Sequence, residues 1–194
     1  MRKTAKDTIK AVLPASATRI HSVADDNPRP ATPGNERLWP FRPQDVSPLV
    51  WWRMLPSDLM RDAEHLLVCA TLDGITVMRG GHDITAALQG DPAAAIAVAL
   101  SLMPVDEVTL EVDIAMTAVL RCTLAGNAAA ALVLAKVVGR AELDHPFATE
   151  LSGSWYTHHL RHSPDRRKFT PDEKAVWSAL RKCDERRART GDLA

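Results

Sequence analysis

His158 and His162 stand four residues apart in the run SWYTHHLRH. On a helix that spacing puts both rings on one face, where two imidazoles could begin a metal site. Two donors do not complete one, and Asp144, His145 or Cys183 would have to supply the rest. Histidines in the last turn of a helix have a simpler use, because the free carbonyls there accept their N–H groups. The expectation is therefore no metal and no cofactor, with a metal-binding protein or enzyme built on His145, His158 and His162 as the weaker alternative. Gly80-Gly81 followed by His82-Asp83 comes closest to a flexible catalytic loop, yet a Gly-Gly pair before an N-capping Asp is ordinary turn chemistry. No Gly-rich phosphate loop, GxSxG elbow, HExxH or CxxC occurs. With no catalytic constellation in view, the reading leans away from an enzyme.

Two other groups of residues could bind something. The stretch LWPFRPQDVSPLVWW (Leu38–Trp52) holds Trp39, Phe41, Trp51 and Trp52, four of the nine aromatic residues in the chain. Rings are costly to leave in water, so these have a partner surface. Either the arm folds back on its own domain, or it docks on another protein with its prolines holding it extended. The second group is basic: Arg166, Arg167, Lys168, Arg181, Lys182, Arg186 and Arg187. They could contact phosphates of a nucleic acid. Acids interleave with them, at Asp165, Asp172, Glu173, Asp184 and Glu185, as on a solvated helix with local ion pairs.

These groups sit on a chain whose zero net charge conceals a segregation. Residues 1–53 hold nine Lys/Arg against five Asp/Glu, residues 54–160 five against thirteen, and residues 161–194 ten against six. Hydrophobic residues make up 46 % and charged residues 25 %, ordinary values for a soluble globular protein. No apolar run reaches the ~18 residues of a membrane span, and the opening MRKTAKDTIKAVLPASA has only AVL where a secretory signal needs about 7–15 apolar residues, so none is expected. Three scattered cysteines fit a reducing cytoplasm. Seventeen arginines against seven lysines, with abundant alanine, suggest a GC-rich bacterial genome.

The elements follow from periodicity and stop signals. Seven prolines in residues 1–48 break helix and sheet alike, so residues 1–49 are expected to form a disordered arm, with a short helix allowed at Ala5–Leu13. Leu59, Ala63, Leu66, Leu67 and Ala70 mark one helix face, although Asp73-Gly74 between apolar runs also suits a β-hairpin near 66–79. Gly90-Asp91-Pro92 ends one helix and starts another, which Pro104 stops. VTLEVDIAM alternates like a strand near 107–116, but Val108, Val112, Ala115, Val119 and Cys122 follow helical spacing over a stretch too long for a typical strand. Helices are expected from Asn127 to Arg140 and through HPFATELSGSWYTHHLRH, with Phe147, Leu151, Trp155 and His159 on one face. Thr170, Pro171 and Glu173 form a capping box for a last, basic helix.

GDPAAAIAVAL at Gly90 and GNAAAALVLAK at Gly126 share five of eleven positions, four of them alanine. A helical-hairpin repeat of this period needs about three copies to be stable, and no third copy occurs. The fold expected is mainly α: a compact helical bundle or short hairpin stack over residues 50–162, then a basic C-terminal helix and tail over 163–194. The alternative is α+β, with the hairpin and strand above. The function expected is that of a small, cytoplasmic, bacterial interaction, adaptor or regulatory protein. A protein partner gripped by Trp39, Phe41, Trp51 and Trp52 comes first, nucleic acid second, and no membrane.

Overall fold

The computed structural model describes residues 39–76, 82–140, 146–165 and 167–191, and all of their regular structure is helical. The helices are α1 (Trp51–Met54), α2 (Asp62–Asp73), α3 (His82–Leu88), α4 (Pro92–Ser101), α5 (Leu110–Leu124), α6 (Ala128–Val138), α7 (Ala148–His162) and α8 (Pro171–Gly191). Single 3-10 turns at Pro43–Asp45, Pro48–Val50 and Ser57–Leu59 flank α1. Residues 1–38 and 141–145 lie outside the described residues, and with them the allowed helix at Ala5–Leu13, Asp144 and His145. So do Gly80-Gly81 and Arg166.

Two helix-to-helix corners are built alike. Gly90 and Gly126 occupy left-handed backbone, at φ +92° and +90°. At the first, the amides of Gly90 and Asp91 donate to the carbonyls of Ala87 and Ala86. At the second, Gly126 and Asn127 donate to Thr123 and Cys122 in the same pattern. Each glycine thus closes one helix in a Schellman turn. The Asx residue after it opens the next: Asp91 accepts from Ala94 N at 2.9 Å and Asn127 from Ala130 N at 2.8 Å. This is the positional match between the two alanine-rich stretches. The hairpins themselves differ, since α3 has 7 residues and α5 has 15.

A pair of glycine substitutions should move stability in opposite directions. A Cβ at Gly126 meets only His162 Cδ2, at 3.4 Å, so the strain of Gly126→Ala is conformational and about 1–2 kcal/mol. Gly153 lies in α7 with nothing within 4 Å of a Cβ, and Gly153→Ala should gain about 0.8–1 kcal/mol of helix propensity. Urea midpoints check both, and a rise for Gly126→Ala would contradict the corner geometry.

The α+β alternative is overturned. Residues 66–73 of the expected hairpin are helical, within α2, while 77–79 lie outside the described residues. The Asp-Gly signal serves here as a helix stop: Gly74 donates its amide to the Ala70 carbonyl at 3.2 Å. Asp62 and Glu64 stand in the first turn of α2, where the helix dipole favours acids. The expected strand near 107–116 is the capped start of α5. Thr109 accepts from Val112 N at 3.3 Å, and Val112, Ala115, Met116, Val119 and Cys122 are buried. The alternation in VTLEVDIAM crosses this cap and does not describe one element.

α6 is the axis of the fold. Nine of its eleven residues are buried, and α4, α5, α7 and α8 all pack against it. Its alanines let those neighbours approach closely, as small side chains do in helix packing. α7 presents Leu151, Trp155 and His159 inward, all buried. α8 adds Val176, Leu180 and Cys183, also buried, so the C-terminal helix belongs to the packed unit. Its predicted capping box is present: Glu173 Oε2 accepts from Thr170 N at 2.6 Å, and Glu173 N donates to Thr170 Oγ1 at 3.2 Å. Among the described residues, 39–49 also contribute to the packed unit, Trp39 and Phe41 among them. Val46 and Leu49 are partly buried against the core. Proline tolerates this because Pro43 and Pro48 each start a turn, where no amide is needed.

Candidate functional site

The four aromatic residues of the arm lie on their own domain. Trp51 and Trp52 are buried in α1, while Trp39 and Phe41 are half-buried. Each indole N–H has an acceptor, as buried indoles require. Trp39 donates to the Met54 carbonyl at 2.8 Å, and Trp51 to the carbonyls of Val46 and Pro43 at 3.0 and 3.2 Å. Trp52 donates to Asp113 Oδ1 at 2.9 Å. Arg53 grips the same carboxylate with two N–H groups, Nε on Oδ1 at 3.0 Å and Nη2 on Oδ2 at 3.2 Å. The Thr117 hydroxyl, one turn along α5, lies 2.9 Å from the Leu49 carbonyl. Trp-Trp-Arg and Asp113 thus form one node that fastens the arm across α5. The Trp39 ring also packs on Phe147, at 5.1 Å between centroids.

The histidines end α7 and brace its neighbours. His158 Nε2 sits 3.1 Å from the Thr123 carbonyl, and His162 Nδ1 3.0 Å from the His158 carbonyl. A carbonyl only accepts, so each of these nitrogens carries its proton. Burial pulls the His158 pKa below the usual imidazole value, against the Thr123 bond, which favours the charged form. The two rings stack 4.2 Å apart at 26°. Among the described residues, no three His, Cys, Asp or Glu side chains gather as a metal site needs.

Sequence reasoning placed His159 on the inner face of α7 but missed its partner. His159 Nδ1 lies 3.0 Å from the Ala128 carbonyl and 3.5 Å from Glu173 Oε1, and both side chains are 1 % exposed. Glu173 therefore caps α8 with Oε2, while its Oε1 is buried without a hydrogen bond, 3.5 Å from the His159 nitrogen that already faces the Ala128 carbonyl. An open cleft of ≈ 230 Å³ lies outside this pair, lined by Tyr156, Ser163, Arg167, Lys168 and Phe169 among others. Burial also pushes the Cys122 thiol up to about 11, which keeps it protonated and unreactive.

Acidic partners lie among the described basic residues of the C-terminal segment. Arg167, Lys168, Arg181, Lys182 and Arg186 are exposed, and the Arg187 side chain lies outside the described residues. Arg181 faces Glu185 at 3.7 Å, and Asp184 is taken by Arg140 at 2.6 Å. Arg186 Nη2 reaches Cys183 Sγ at 3.0 Å.

The feature left over is α2. The face expected from Leu59, Ala63, Leu66, Leu67 and Ala70 is split: Leu59 ends a 3-10 turn and packs partly buried on the core, while Leu66 is 70 % exposed and Leu67 52 %, with both alanines exposed as well. The helix is held instead by Val68 and Leu72, buried on its other side toward α5, and by Asp73, which pairs with Arg121 at 2.7 Å. α2 is therefore apolar on two sides, one covered and one bare. Leu66 and Leu67 are adjacent at this exposure, and exposed apolar residues are more often single than grouped.

The fold is thus a mainly-α unit with a bare apolar stripe on one surface helix. The chain matches no family model, no curated protein and no solved structure. No helix among the described residues is long and apolar enough to cross a membrane.

Proposed function

We propose that this chain is a protein-interaction module, an adaptor or regulator that does no chemistry of its own and docks a partner on α2. The observation that carries the reading is the bare stripe Ala63, Leu66, Leu67 and Ala70. The aromatic arm suggested by the sequence contributes less to it, because Trp51 and Trp52 are occupied in the core and only Trp39 and Phe41 retain exposed surface. The stripe is free for a partner because α2 is anchored from its opposite side. Leu66→Ser/Leu67→Ser should therefore leave the fold intact, at a cost of only a few tenths of a kcal/mol per residue in helix propensity.

The test uses tagged wild-type and Leu66→Ser/Leu67→Ser chains as parallel baits in the native host. Co-purifying proteins should fall at least about tenfold in the variant, as expected when two leucine anchors are lost from an interface. Equal recovery by both baits, with unchanged circular dichroism, would remove the reading.

A further inference from the structure

The bare stripe of α2 carries a charge pattern beside its apolar one. At about 100° per residue, Asp62 and Asp73 run along the edge next to Leu66, and Glu64 along the edge next to Leu67. α2 contains no Lys or Arg. Asp73 is matched by Arg121, whereas Asp62 and Glu64 have no ion-pair partner among the described residues. The nearest cation in sequence, Arg61, precedes the helix as its N-cap residue, with extended backbone. The apolar strip is thus flanked at its N-terminal end by one unpaired acid on each side, Asp62 and Glu64.

Resting on the docking reading above, we infer that the occupant of this strip is a cationic amphipathic helix. Its apolar side chains at i, i+3 or i+4, and i+7 sit on Ala63, Leu66, Leu67 and Ala70, and its Lys or Arg flanks face Asp62 and Glu64. The two small residues, Ala63 and Ala70, leave room for a second helix to come close. Charge selects against the other occupants. A second copy packed parallel would set the unpaired acids of one α2 against those of the other, and packed antiparallel would give Asp62 and Glu64 no unpaired cation on α2 to face. A lipid surface attracts helices edged with Lys and Arg, the reverse of what α2 offers.

The test takes the purified full chain and two labelled synthetic helices with the same leucine spacing, one flanked by lysine and one by glutamate. By fluorescence anisotropy at low salt, the lysine peptide should bind about tenfold or more tighter than the glutamate peptide. Asp62→Lys/Glu64→Gln should erase that preference while keeping an acceptor for the Arg61 amide, which Glu64 Oε2 now takes at 3.0 Å. Leu66→Ser/Leu67→Ser should abolish binding of both. Equal binding of the two peptides, or lysine-peptide binding that survives loss of the leucines, overturns the inference. So does a dimer seen by light scattering, or co-sedimentation with anionic vesicles, that depends on the same leucines. If the baits above differ while the peptides show no preference, docking on α2 stands and the cationic helix falls.

Discussion

Trp52→Ala should lower the unfolding free energy by about 3–5 kcal/mol, the range for removing a large side chain from a core that cannot collapse to fill the space. Trp52 is 0 % exposed, and its surroundings come from elements distant in sequence, so relaxation is restricted. The substitution also takes the donor from Asp113 Oδ1. Against a typical stability of about 5–15 kcal/mol, this is a large share. Trp39→Ala provides the comparison: its ring is only half-buried, and a clearly smaller loss is expected. Urea unfolding followed by circular dichroism measures both. A loss at Trp52 below about 1 kcal/mol would mean that the arm is not anchored as described.

Asp113→Ala should cost about 3 kcal/mol, toward the low end for breaking a buried pair because Arg53 keeps some contact with water. Two partners are stranded at once: the Trp52 indole N–H and the Arg53 guanidinium. A cycle separates the contributions. Arg53→Ala/Asp113→Ala should be less damaging than the sum of the single changes, since removing both charges leaves none unpaired. Strict additivity would show that Arg53 and Asp113 do not act together.

What the sequence made legible was local. Thr170-Pro171-Glu173, Gly90-Asp91 and Gly126-Asn127 carry their information within a few residues, and each corner and cap forms as its residue types dictate. Asp73-Gly74 shows the limit of such signals, because the same pair can stop a helix or turn a hairpin. The polar node was invisible for a different reason. Asp113 is separated from Trp52 and Arg53 by 61 and 60 residues, and nothing in the spacing of either segment records the other. Glu173 and His159 belong to the same class, since the capping role of Glu173 was readable and its closeness to His159 was not. The orientation of α2 was hidden more deeply. Its strongest stripe, with Leu66 and Leu67, faces solvent, while the thinner pair Val68 and Leu72 faces α5. Periodicity identifies an apolar face without saying which molecule covers it. The exposure of Leu66 and Leu67 is what motivates the docking proposal.

The enclosure of α6 limits how this sequence can drift over generations. Ala130 and Ala131 are 0 % exposed and hemmed in by neighbouring helices, so bulkier replacements there must force those helices apart. Leu66 and Leu67 face no such restriction from their own architecture. Related chains can vary freely at those two positions unless a second molecule requires them. Persistence of leucine there would then be a record of use, whereas persistence of alanine in α6 records only the geometry of the interior.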